Sequence, residues 1–127
     1  MAVTRGLLVV MAVLEAATGV ALLILPVFVV SLLLGESLDT AGGLAVARIA
    51  GAALLSLGLT CWLTRHDGKT GAGRGVVVAM LAYNVMVIAV LAHAGLGLGM
   101  SGIGLWPAAG AHMVLASWCL ASFRSRN

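Results

Sequence analysis

The sequence predicts an all-α integral membrane protein: four transmembrane helices in an up-down-up-down bundle, both termini cytoplasmic. Three observations carry that prediction. The 127 residues are 62% apolar and only 9% charged, whereas soluble chains carry about a quarter charged residues. The mean hydropathy is +1.17. Charged residues and glycine-rich runs then divide the chain into four long apolar stretches with none of the period-two alternation of a transmembrane barrel. Disorder is excluded by the apolar content. With 2 Pro and 2 Cys beside 17 Gly, collagen-like and disulfide-framework classes are excluded as well.

A helix rising about 1.5 Å per residue needs about 20 apolar residues to cross a hydrocarbon core of roughly 30 Å. The first stretch, Gly6 to Leu34, is broken only by Glu15 and would reach about 43 Å if straight. Pro26 removes a helical hydrogen bond and should kink or end the helix, so the span proper is expected over about 6–30. The second span is expected over about 44–63, interrupted by Arg48. The third covers about 76–96, and the fourth about 105–123, with Trp106-Pro107 as a start signal because proline suits the first helical turn and tryptophan the headgroup level. The four form one domain, residues 1–127. Connections of about ten residues favour antiparallel neighbours. The small-residue stripes Ala47-x-x-x-Gly51 with Gly58, and Ala12-x-x-x-Ala16, allow close helix approach. Gly6, Met11 and Glu15 recur as Gly75, Met80 and Asn84, hinting at two repeated hairpins.

Orientation follows from the basic residues. Of the seven Lys and Arg, six lie at Arg5, in Arg65–Arg74 or in the carboxyl tail, while Glu36 and Asp39 occupy the first opposite connection. The positive-inside rule then makes both ends cytoplasmic, in a cell inner membrane. An uncleaved first span is expected, because the apolar run after Arg5 continues past any plausible signal-peptide cleavage point. The net charge of +3 reports topology, and the connections are too short for a nucleic-acid patch. Cys61 and Cys119 lack a Cys-x-x-Cys spacing and read as small residues buried among the helices.

Polar side chains inside spans are the candidate site, since ionisable groups there are costly and by default suggest function. By helical rise, Glu15 lies about 13 Å from the cytoplasmic edge, Asn84 about 12 Å and His112 about 16 Å, with Tyr83 beside Asn84. These four are the candidates for ligand binding or proton coupling. Arg48 and His93, both about 24 Å deep, form a second level, with Arg48 able to reach toward Glu36 and Asp39. The run Leu14-Glu15-Ala16-Ala17-Thr18-Gly19 superficially resembles the first helix of small multidrug transporters, which carry a membrane-embedded glutamate. The resemblance stops at these residues, since the aromatic-rich first helix and the third-helix glycine motif are absent. It contributes only the idea of proton exchange at Glu15.

No metal set is assigned. His93 and His112 differ by about 8 Å in depth, which disfavours one haem between them. Copper suits methionine and histidine, but Met100 with His93 makes only one pair. No sequence motif names a cofactor. Signatures of serine hydrolases, zinc proteases and phosphate loops are missing. The expected function is therefore a non-enzymatic accessory subunit, or a binder of a small apolar ligand between its helices. The alternative is a dimeric proton-coupled transporter using Glu15, and a further alternative an intramembrane enzyme using Glu15 and His112. Expected partners are membrane lipids, a membrane protein or a second copy of the chain.

Overall fold

The computed structural model describes residues 2–68 and 70–124, which are helical apart from short connections and contain no strand. In chain order the elements are α1 (Ala2–Ile24), α2 (Pro26–Leu34), α3 (Ala41–Leu63), α4 (Gly71–Ala92), a π-helical turn (His93–Gly97) and α5 (Leu105–Arg124). Three segments, Val3–Ile24, Ala41–Leu63 and Gly71–Gly97, are long and apolar enough to cross a membrane. The remaining long helix, α5, is the least apolar of the four, because His112, Ser117, Ser122 and two tryptophans interrupt it.

Local chemistry sets the boundaries, and several differ from the sequence expectation. The first helix ends at Ile24, short of the expected position 30. Leu25 leaves the helical region, with φ −125° and ψ 51°, because the ring of a following proline crowds the helical conformation of the residue before it. Leu25 N still donates to Ala21 O at 2.7 Å, and Val29 N restarts the ladder on Leu25 O at 3.1 Å. Pro26 itself opens α2, where a missing N–H costs nothing. α2 stops at Gly35, whose φ of 74° is left-handed and whose N–H returns to Ser31 O, a cap that glycine adopts without a Cβ penalty.

α3 begins three residues before the expected 44, since Thr40 caps it by accepting from Gly43 N at 3.0 Å. Likewise α4 begins at Gly71, five residues before the expected 76, with Thr70 accepting from Gly73 N at 3.1 Å. Both are side-chain N-caps of the kind threonine provides. Arg74 therefore belongs to the first turn of α4, and the basic connection is shorter than the sequence suggests.

Packing makes two hairpins. α1 lies along α3 and α4 along α5, while α1 meets α5 between them and α3 and α4 approach each other little. The α1–α3 seam is built on missing side chains. A methyl on Gly58 would stand 2.8 Å from Ala16 N, and one on Gly51 would stand 2.8 Å from Gly19 O. The stripes read from sequence thus serve this contact inside the chain. A core of Leu7, Leu8, Met11, Cys61, Val77, Met80, Leu115 and Cys119 joins the hairpins.

The outward surface is apolar. Ile24, Phe28, Val46, Ile49, Val90 and Val114 are all more than 60% exposed. Soluble monomers rarely expose contiguous apolar patches beyond a few hundred Å², and a lipid environment removes that cost. Arg65 and Arg74 sit at one end of the bundle, with Arg74 facing the Phe123 ring at 6.0 Å, and Arg5 and Arg124 fall in the adjoining terminal turns. Glu36 and Asp39 lie in the connection at the opposite end.

Candidate functional site

Glu15, Tyr83, Asn84 and His112 come together in one buried layer. Glu15 on α1 is 4% exposed and Asn84 on α4 fully buried; Tyr83 and His112 are half-buried. Tyr83 Oη donates to Glu15 Oε2 at 3.2 Å, joining the two hairpins. Asn84 Nδ2 donates to Met80 O at 2.7 Å, which fixes the amide so that its Oδ1 faces His112. His112 Nδ1 lies 2.7 Å from that oxygen. An amide oxygen can only accept, so Nδ1 carries the proton and Nε2 is the acceptor of the neutral ring. The Tyr83 and His112 rings meet edge to face, 5.7 Å apart at 77°.

Among the described residues no buried side-chain nitrogen or oxygen lacks a hydrogen-bond partner. Hydrogen bonds between helices in a low-dielectric interior fix register and rotation, because slipping either hairpin would leave buried groups unpaired. Glu15 and His112 take different partners, so the geometry does not pair them as acid and base.

Arg48 and His93 do not join the layer. Both are exposed, Arg48 on the outer side of α3 and His93 at the start of the π-helical turn. Asp39, considered as a partner for Arg48, accepts instead from Ser37 Oγ at 2.6 Å. No group of three His, Cys, Asp or Glu side chains converges among the described residues.

A feature not anticipated from sequence lies on the outer side of the α1–α3 seam. Ala12, Val13, Ala16, Leu55, Gly58, Leu59 and Trp62 line a groove of about 280 Å³. At its end the Arg65 guanidinium stacks over the Trp62 ring, 4.0 Å from its centre, and Arg65 Nη1 donates to Trp62 O at 2.5 Å. The signal was present as the spacing of Leu55, Leu59 and Trp62, which share one helical face. It also required knowing that Gly58 and Ala12 bring the two backbones together there.

The fold and this layer define a class: an all-helical protein with three helices able to cross a membrane and a buried polar contact between two hairpins. Compared with known protein families, curated proteins and solved structures, the chain matches none.

Proposed function

We propose that this chain is a multi-pass inner-membrane protein with four spans and cytoplasmic termini, acting as a non-enzymatic module that holds a small apolar ligand between its helices. α5, with 20 residues, reaches about 30 Å and so has the length of a fourth span. Basic residues at one end and acidic ones in the opposite connection support the orientation. The observation that carries the ligand reading is the α1–α3 groove, whose seven lining residues present only apolar side chains or backbone. Such a module works beside a membrane protein partner or a second copy, since its connections offer little docking surface to a soluble one.

Native mass spectrometry of the detergent-released protein tests this reading. The expected result is an apolar molecule bound at fixed stoichiometry, lost when Leu59→Trp fills the groove from its exposed rim while the protein stays folded. A wild-type chain that emerges bare, or a bound mass indifferent to Leu59→Trp, overturns it.

A second reading, a dimeric proton-coupled transporter, is favoured by one observation: the buried carboxyl of Glu15 is bonded across the hairpins to Tyr83. A proton moving on or off that carboxyl would change the contact that joins them. This reading expects Glu15→Gln to abolish proton-driven uptake in vesicles with expression intact. Unchanged uptake eliminates it.

A further inference from the structure

The groove between α1 and α3 ends on a charge. Trp62 closes its lining toward the basic end of the bundle, and the Arg65 guanidinium lies over that ring, 4.0 Å from its centre. Stacking on indole holds a cation at an apolar mouth, since the attraction to the ring offsets part of the lost hydration. One N–H of Arg65 is used on Trp62 O, whereas a guanidinium carries five donors in a fork that matches phosphate oxygens. Among the described residues no carboxylate pairs with it, and Asp67, the nearest acidic residue in sequence, is exposed.

The groove also has the reach of one lipid chain within one leaflet. Its lining on α3 runs from Leu55 to Trp62, about 10 Å of helical rise. α3 covers Ala41–Leu63, so this lining lies wholly between the helix midpoint and its basic end. One leaflet supplies about 15 Å of hydrocarbon, half of the roughly 30 Å core, and tryptophan favours the headgroup level. The groove thus starts where headgroups sit and stops short of the bilayer centre. Its volume of about 280 Å³ suits a single slender chain. Val13 and Leu59 on its rims are exposed, which leaves it open sideways to the bilayer.

We propose that groove and guanidinium together hold one anionic phospholipid, an acyl chain lying along Leu55, Leu59 and Trp62 and the headgroup phosphate on Arg65. The proposal rests on the groove reading above and names the molecule whose apolar part fills it. Charge complementarity selects the occupant. A neutral apolar molecule would leave the guanidinium without a partner, and a zwitterionic lipid brings a phosphate already balanced by its own ammonium. In the orientation proposed above, the site faces the cytoplasmic leaflet, where anionic lipids set up a negative surface potential.

The test is native mass spectrometry of the full chain, delipidated in detergent and offered phosphatidylglycerol or phosphatidylcholine with identical acyl chains. The expected result is one phosphatidylglycerol per chain, held at least about tenfold more tightly than phosphatidylcholine, the size of one hydrogen bond to a charged group. Arg65→Gln should abolish that preference. Arg74→Gln, which removes the same charge from the other hairpin, should keep it, and Leu59→Trp should weaken retention of both lipids. Three results overturn the anionic-lipid site: neither lipid retained, both retained equally, or a preference that does not depend on Arg65 alone. The groove reading falls separately, through retention indifferent to Leu59→Trp, and takes this proposal with it. Should Arg65→Gln aggregate, phosphatidylglycerol with a photoreactive acyl chain decides on the wild-type chain. Crosslinks concentrated at Val13, Leu55 and Leu59, and exceeding those of the phosphatidylcholine analogue, support the site. An even spread over the helices, or equal labelling by the two lipids, overturns it.

Discussion

Asn84 and Tyr83 are neighbours on α4 with unequal duties. Tyr83 is half-buried and contributes one hydrogen bond to Glu15, at a length of 3.2 Å. Interhelical hydrogen bonds in membranes average about 0.6 kcal/mol, because the separated helices also find partners, so Tyr83→Phe should lower stability by no more than about 1 kcal/mol. Asn84 is fully buried, is bonded to Met80 O and receives His112 Nδ1. Asn84→Ala opens a void and strands the imidazole N–H, so it should cost about 2–4 kcal/mol. Thermal unfolding in one detergent checks both. Equal losses at the two positions would show that burial of the amide is not what matters. Residue counts and helical rise suffice to gather Glu15, Tyr83, Asn84 and His112 at one level. Their pairing is not legible in the sequence, because rotation about each helix axis depends on which faces the other hairpin covers.

The elements are legible where composition decides and less so where single caps do. Apolar length locates all four long helices, and Pro26 marks the break after α1. Thr40 and Thr70 move the starts of α3 and α4 outward, since one threonine oxygen captures an amide that the hydropathy pattern counts as loop. The α1–α3 seam makes the sharpest prediction at this scale. A Cβ at Gly58 would meet Ala16 N at 2.8 Å and Ala12 O at 2.9 Å, both backbone atoms with no freedom to yield. Gly58→Leu should therefore push α1 off α3 and cost about 3 kcal/mol or more, in the range of overpacked cores. Gly42, on the same helix, has nothing within 4 Å of an added Cβ. Gly42→Ala should be neutral or stabilising, because alanine loses less backbone freedom in a helix. Paired melting curves of the two variants check the contrast. A tolerated Gly58→Leu would mean that the helices do not approach as closely as the seam requires.

At the scale of the whole molecule, the count of membrane crossings rests on α5, the least apolar of the long helices, and parity supplies a test. With four crossings the two chain ends share a side, and with three they lie on opposite sides. Basic residues argue for the even count: Arg5 near one end and Arg124 near the other belong to the same end of the bundle as Arg65 and Arg74. The positive-inside rule acts on Lys and Arg close to span ends, so splitting this group across a membrane would oppose it. α5 also carries Trp106 at its first turn, the headgroup-level position tryptophan favours. Single-cysteine labelling reads parity and direction together. In a background with Cys61→Ala and Cys119→Ala, the variants Ser37→Cys and Ser101→Cys should react with an impermeant maleimide on intact cells. His66→Cys and Ser125→Cys should react only after permeabilisation. Labelling at position 125 from outside, with 66 protected, would remove α5 as a span. Reversal at all four positions would keep the four-helix topology and overturn its direction.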